Sequence, residues 1–372
     1  MLPLLAGIAA AVLLVGLLTL TPSRLLEIAA ASVVSWHTLS LLLTVLSGMV
    51  LARLMEAGGI SAHLGEKLRG GCALLMLPLL LGMVPMPGGA LLSGMLLKNL
   101  MPGHAREAGT AFTNYWFRHL LIPIWPLYPA FIITMGVTHL TPFQLILINL
   151  PLAISALAAG LLLSWRHLNL ALGACIASAL TTPALWLILI PLSAGVLLNL
   201  PLYLSILLSA AAIALVSRAG WTKIKKAVRD AADAELLLLV VLVLLLRDVV
   251  RASGAGEKLA SVLQVSGEPL IGAALVSFAV GLLAGIEMAP AGIALPLFLT
   301  LVERDPGAVL VLFASGYLGV QLSPLHLCLT ASVHHLGASL LQVYRRVLLA
   351  CLLTALFLTL WLLLQYTSMA VL

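Results

Sequence analysis

Apolar residues run through this chain in stretches about as long as a bilayer is thick. Leu4–Leu20, Leu168–Ile190 and Val347–Leu364 contain no charged residue. A helix needs about 20 mostly apolar residues to cross the hydrocarbon core. Lipid offers no hydrogen bonds to the backbone, so such stretches must bond internally, as helices or as closed barrels. These runs are leucine-rich rather than alternating, which excludes a transmembrane β-barrel. The whole chain is 62% hydrophobic and 9% charged, whereas soluble domains carry about 25% charged residues. An all-α polytopic membrane protein is the class that remains. The net charge of +6 then reads as a topology signal rather than a nucleic-acid footprint. Cys72, Cys175, Cys328 and Cys351 all lie in apolar runs, with no pair at metal-ligand spacing. They read as small buried hydrophobes.

Several runs are interrupted by residues that a straight helix does not accommodate. Leu74–Leu81 leads into Val84-Pro85-Met86-Pro87-Gly88-Gly89, and the apolar sequence resumes at Ala90. Each arm is too short to cross alone, and the prolines and glycines break the helix between them. The pattern predicts a re-entrant hairpin over about 72–100. A second is expected over about 269–301, with its tip at Gly285-Ile286-Glu287-Met288-Ala289-Pro290-Ala291-Gly292. Pro123, Pro126 and Pro129 predict a broken span over about 105–137. Tyr317–Pro324 predicts another over about 308–337. Irregular backbone at membrane depth is tolerated where protein or a watery cavity covers it, which makes such breaks candidate binding sites.

The two ends of the chain show the same order of events: a span ending in glycine, a short surface stretch, a hairpin, a broken span and a closing span. This predicts two inverted-topology repeats, at 1–165 and 191–372, joined by a linking span at 166–190. The expected total is about nine full spans plus two hairpins. The basic residues between spans gather on one side, above all in the linker Ser217–Glu235 with Lys223, Lys225, Lys226 and Arg229. The positive-inside rule places that side in the cytoplasm, with the N-terminus inside and the C-terminus outside.

Ionisable residues within membrane segments are costly and mark functional sites by default. Glu287, at the second tip, has the chemistry to coordinate a cation such as sodium, accept a coupling proton, or bind a basic group. Alternatively it is the buried structural partner of Arg118. Arg118 has the donor geometry to hold an anion bidentately, and His119 beside it titrates near neutrality. Pro87, Gly88 and Gly89 at the first tip, and Met288, Pro290 and Gly292 at the second, would expose backbone groups to a ligand. Asn114 and Ser323 are the foremost neutral polar contacts, followed by Gln321, Ser93, Thr113 and Ser315. Hydroxyls bonding back to their own helix are the bland alternative. Tyr115 and Tyr317 read as packing residues. His326, His334 and His335 form no metal signature, and only His326 lies close to a break.

The architecture and the Val84–Gly89 stretch resemble the DUF401 family, prokaryotic integral membrane proteins of uncharacterised function placed in the ion-transporter superfamily. Its relatives include gluconate, citrate and dicarboxylate carriers, sodium–proton antiporters and arsenite permeases. The resemblance implies a secondary transporter in the cytoplasmic membrane of a prokaryote. The dicarboxylate carriers bear Ser-Asn-Thr motifs at their hairpin tips. Here Met86-Pro87-Gly88-Gly89 and Met288-Ala289-Pro290-Ala291 stand instead. The chain has no phosphate-binding glycine loop with lysine, no HExxH and no nucleophile elbow. The expectation is a non-enzymatic transporter without a cofactor, coupled to Na+ or H+, that moves a small anionic organic solute by alternating access. A cation/proton antiporter is the runner-up. The partners expected are the solute and the lipid bilayer, with a homodimer left open and no nucleic acid.

Overall fold

The computed structural model describes residues 1–58, 71–83, 89–100, 108–168, 183–265 and 268–370. Nineteen helices lie among them. The first three are α1 (Leu2–Thr19), α2 (Pro22–Val34) and α3 (Trp36–Ala57). Then come α4 (Gly71–Gly82), α5 (Gly89–Leu100), α6 (Ala108–His119), α7 (Pro129–Thr138) and α8 (Pro142–Leu168). The middle of the chain holds α9 (Pro183–Leu197), α10 (Leu202–Val216), α11 (Trp221–Ala231), α12 (Ala234–Ser253) and α13 (Ala255–Val265). The last six are α14 (Pro269–Ala284), α15 (Met288–Leu297), α16 (Leu299–Arg304), α17 (Pro306–Leu322), α18 (Leu327–Leu336) and α19 (Leu340–Ala370).

Helix length corrects the expected span count. Among the described residues, five helical stretches are long and apolar enough to cross a membrane: Leu2–Thr19, Trp36–Ala57, Pro142–Trp165, Pro306–Leu336 and Leu340–Gln365. A sixth is reached only by joining Ala255–Gln264 to Pro269–Ala284, a pair bent by 110°. Nine full spans plus two hairpins is therefore not the architecture. The inverted-repeat reading, which needed an even number of crossings in the first half, does not stand. The reason is that an apolar run in sequence is not one helix in space. Ser35 caps α3, its hydroxyl accepting from the Thr38 amide at 3.1 Å, and so divides the run Leu25–Met55. The run expected over 191–216 is divided between the end of α9, which begins at Pro183, and α10, helices of 15 residues each. Helix α12 has 20 residues but carries Glu235, Arg247, Asp248 and Arg251. The arms expected to form the hairpins are α4 and α5, of 12 residues each, and α14 and α15, of 16 and 10. The first tip, 84–88, and most of the expected linking span, 169–182, lie outside the described residues.

Local chemistry explains the element boundaries. Helices α2, α7, α14 and α17 begin with proline at the first turn, where its missing N–H costs nothing. Asp305 caps α17 by accepting from the Gly307 amide at 2.7 Å. Gly285 ends α14 at φ +65°, a left-handed conformation that glycine adopts without strain, and so turns the chain directly into Glu287.

Close packing is built on small residues. Helices α14 and α17 touch backbone to backbone: Gly281 faces the Gly316 carbonyl, Gly319 faces the Phe278 carbonyl, and the Ser277 hydroxyl donates to the Leu312 carbonyl at 2.7 Å. With lipid on the outside, such contact comes from small residues that allow close approach rather than from hydrophobic burial. Helix α6 is sheathed on all sides, and every residue from Gly109 to His119 is buried. Gly160 of α8 makes room for the Trp116 indole, whose Nε1 donates to the Ala156 carbonyl at 2.9 Å. The basic linker forms the amphipathic helix α11. It buries Ala227 and Ala231 and places the Lys225 ammonium 5.3 Å from the Trp221 ring centroid.

Candidate functional site

Three helix breaks meet in the interior. The first follows His119, where Pro123, Pro126 and Pro129 rule out a continuous α-helix and the chain passes through turns to α7. Backbone bonds from Ile122 to His119 at 3.2 Å and from Ile124 to Leu121 at 3.0 Å hold these turns, and Asn149 caps the Pro123 carbonyl at 3.0 Å. The second is Gly285–Glu287, between α14 and α15. The third is Ser323–His326, between α17 and α18, where the Ser323 hydroxyl accepts from the Leu325 amide at 3.2 Å.

The breaks are tied together by hydrogen bonds. Tyr115 donates to the Gln321 carbonyl at 2.9 Å, joining α6 to α17. His326 Nδ1 lies 2.6 Å from the Gly285 carbonyl, and His119 Nδ1 lies 2.7 Å from the Tyr115 carbonyl. Across the gap His119 Nε2 meets His326 Nε2 at 3.0 Å, and Glu287 Oε1 lies 3.8 Å from the same His119 nitrogen. Tyr128 donates to the carbonyls of Gly82 and of Arg118, the latter at 3.2 Å, and Trp125 donates to the Met83 carbonyl at 2.6 Å. These bonds fix the loop after His119 against the end of α4.

A cavity of ≈ 360 Å³ opens against this junction, within the size range of small-molecule sites. Arg118, His119, Glu287, Met288 and Cys328 line it, with Gly48, Met49, Tyr128 and Ile132 forming an apolar wall. Arg118 is 6% exposed, and its Nη1 has no hydrogen-bond partner among the described residues. It forms no ion pair among the described residues, so the structural Arg118–Glu287 pair considered above is not formed. Its guanidinium lies against Gly89, at the first residue of α5. The positive end of that helix dipole repels a cation, and together the two attract an anion.

The other residues singled out in the sequence divide between the junction and the packing around it. Asn114 lies one turn before Arg118. Its Nδ2 donates to the Ala90 carbonyl at 3.2 Å and to the Ser332 hydroxyl at 2.9 Å, and its Oδ1 has no partner. Gln321 donates to the Tyr317 hydroxyl at 2.9 Å, and its Oε1 is likewise unpartnered. Pro290 faces Gly316 and, with Glu287, lines a separate void of ≈ 10 Å³, about one water's worth. Gly292 packs against Val243 of α12, away from Arg118. Ser93 and Thr113 bond back to their own helices. His334 is exposed, and His335 packs beside Gly94. Pro87 and Gly88 lie outside the described residues.

Cys328 was missed in the sequence, and His326 was undervalued there. Both sit at the start of α18, two residues apart. Their counterpart His119 is distant in sequence and is brought to them by the break after α6. The available signal was that both histidines directly adjoin a proline-marked break.

Long apolar helices and a largely buried polar junction beside a cavity define a polytopic helical membrane protein. The chain belongs to the DUF401 family, described as a protein of unknown function, which matches residues 2–365. No curated protein matches it.

Proposed function

We propose that the protein is an ion-coupled secondary transporter of a small anionic solute, and that the cavity at the three breaks is its solute site. The observation that carries this reading is Arg118, a buried guanidinium that forms no ion pair among the described residues and lines a cavity beside a helix N-terminus. An uncompensated charge in a low-dielectric interior is expensive, and a carboxylate or phosphate ligand removes the cost through charge-assisted bonds. Glu287, half-buried in the same cavity, is the group for the coupling proton or sodium ion. Alternating access then opens the cavity to one side at a time, with a transport role rather than an enzymatic one.

The basic helix α11 favours a cytoplasmic face on its side of the membrane. The Met1 amine lies 3.7 Å from Glu235 at the end of that linker, which supports an N-terminus on the same side. A cation/proton antiporter is the second reading, and the Glu287 carboxylate beside His119 favours it.

The test is uptake by proteoliposomes under imposed proton or sodium gradients, screened against organic anions and metal cations. Gradient-driven uptake of an anion, with its apparent affinity weakened in Arg118→Lys, is expected. Cation exchange with an Arg118→Lys variant of unchanged affinity would overturn the anion reading.

A further inference from the structure

The two central histidines present a conflict of lone pairs. His119 Nδ1 faces the Tyr115 carbonyl at 2.7 Å, and His326 Nδ1 faces the Gly285 carbonyl at 2.6 Å. A carbonyl only accepts, so each Nδ1 carries the hydrogen. In the neutral rings both Nε2 atoms are then bare lone pairs, yet they face each other at 3.0 Å. Something positive must lie between them: a shared proton or a metal ion. A ring nitrogen from each histidine and the Cys328 Sγ all lie within 4.8 Å of one another, and the Glu287 carboxylate is 3.8 Å from His119 Nε2.

We propose that His119, His326 and Cys328, completed by the Glu287 carboxylate, form a site for a borderline-soft divalent transition-metal ion of the zinc(II) class. Two nitrogens, a sulfur and a carboxylate oxygen are the donor set such ions take in tetrahedral sites. Two metal–nitrogen bonds of about 2.0–2.1 Å at a tetrahedral angle hold their nitrogens about 3.3 Å apart. The observed separation has only to open by a few tenths of an ångström. The two backbone carbonyls supply the outer hydrogen bonds that fix a ligating imidazole in the required tautomer.

The charge also closes. The thiol gives its proton to water as the ion binds. The thiolate and the carboxylate then match the two positive charges, so the filled site is neutral. Arg118 keeps its charge for an anion. Glu287, Cys328 and His119 all line the ≈ 360 Å³ cavity, which is the route of entry. The site shares Glu287 with the transport reading, which gives that carboxylate to the coupling ion, but its test does not depend on transport, since binding in detergent requires no vectorial movement.

The experiment is titration of the full-length, detergent-purified protein with Co2+. The expected result is one Co2+ per chain, with a sulfur-to-cobalt charge-transfer band that zinc abolishes by displacement. The band should be lost in Cys328→Ser and kept in Cys351→Ser, and His326→Gln should weaken binding by about tenfold or more. A missing band, or one that survives in Cys328→Ser, overturns the proposal, and a histidine pair that shares a proton gives the first of these. Should Cys328→Ser not fold, the wild-type protein decides: zinc should protect Cys328 from maleimide labelling, and undiminished labelling overturns the site.

Discussion

Two arginines are buried among the described residues, and the contrast between them shows what to ask of a buried charge. Arg247, on α12, is 5% exposed and fully engaged. Its Nη1 donates to the Gly136 carbonyl at 2.6 Å and lies 3.1 Å from His139 Nε2, while Nε and Nη2 hold the Asp248 carboxylate at 2.8 and 2.7 Å. Arg118 is equally buried, yet its Nη1 has no hydrogen-bond partner among the described residues. Helix α7 runs between the two regions, its first turn lining the cavity and its last turn receiving Arg247. A satisfied buried charge fastens helices together. An unsatisfied one is stable only if a ligand, absent from the polypeptide, completes it.

The comparison breaks most sharply on stability. Arg247→Met should leave the Gly136 carbonyl and the Asp248 carboxylate uncompensated and cost about 3–5 kcal/mol, read as a large fall in melting temperature in detergent. Arg118→Met removes a charge that has no ion-pair partner among the described residues, so its melting temperature should hold or rise while anion uptake is lost. Equal destabilisation by the two substitutions would erase the distinction. Glu287→Gln comes next: the protein should fold normally but lose gradient-driven uptake, and wild-type coupling in that variant would remove Glu287 from the mechanism. Gly89→Ala is a finer probe of the Arg118 site. A methyl there meets the guanidinium, so uptake should fall several-fold with little change in melting temperature.

The smallest effect belongs to the Arg247 end. Partial burial, and then the neighbouring Arg247 guanidinium, push the His139 imidazole down from 6.5 to about 4. The folded protein refuses a proton that the unfolded chain accepts in that window, so stability should be full above pH 6.5 and decline as the pH falls toward 4. Solvent at the exposed ring keeps the effect small. Melting curves of wild type and His139→Asn between pH 7 and 5 should differ in slope, and parallel curves would show that His139 does not sense Arg247.

Membrane class was legible because composition alone decides it: so much apolar surface is stable against lipid rather than water, and lipid obliges the backbone to bond internally, as in helices. Arg118 and Glu287 were legible because an ionised group in an apolar run stands out whatever the fold. The number of spans was not. Pro151 and Pro191 sit inside α8 and α9, whereas Ser35, an unremarkable residue in sequence, ends one helix and starts another. Whether a proline breaks a helix depends on what satisfies the freed carbonyl, and that is a tertiary matter. The meeting of His119 with His326 and Cys328 was equally hidden, since nothing local in either segment refers to the other.

The glycine seam between α14 and α17 has a mechanical consequence. Gly316 and Gly319 offer no side chain where Gly281 and Phe278 press in. A slide of one helical turn, about 5.4 Å, would bring Val320 into the slot that Gly316 occupies. The two helices are thus locked in register and travel as a single strut, carrying the Gly285 turn and the Ser323 break with them. Displacement of this strut against α6 would have to part the contact between His119 and His326 and the bond from Tyr115 to Gln321, and a metal ion held between the two imidazoles would oppose it.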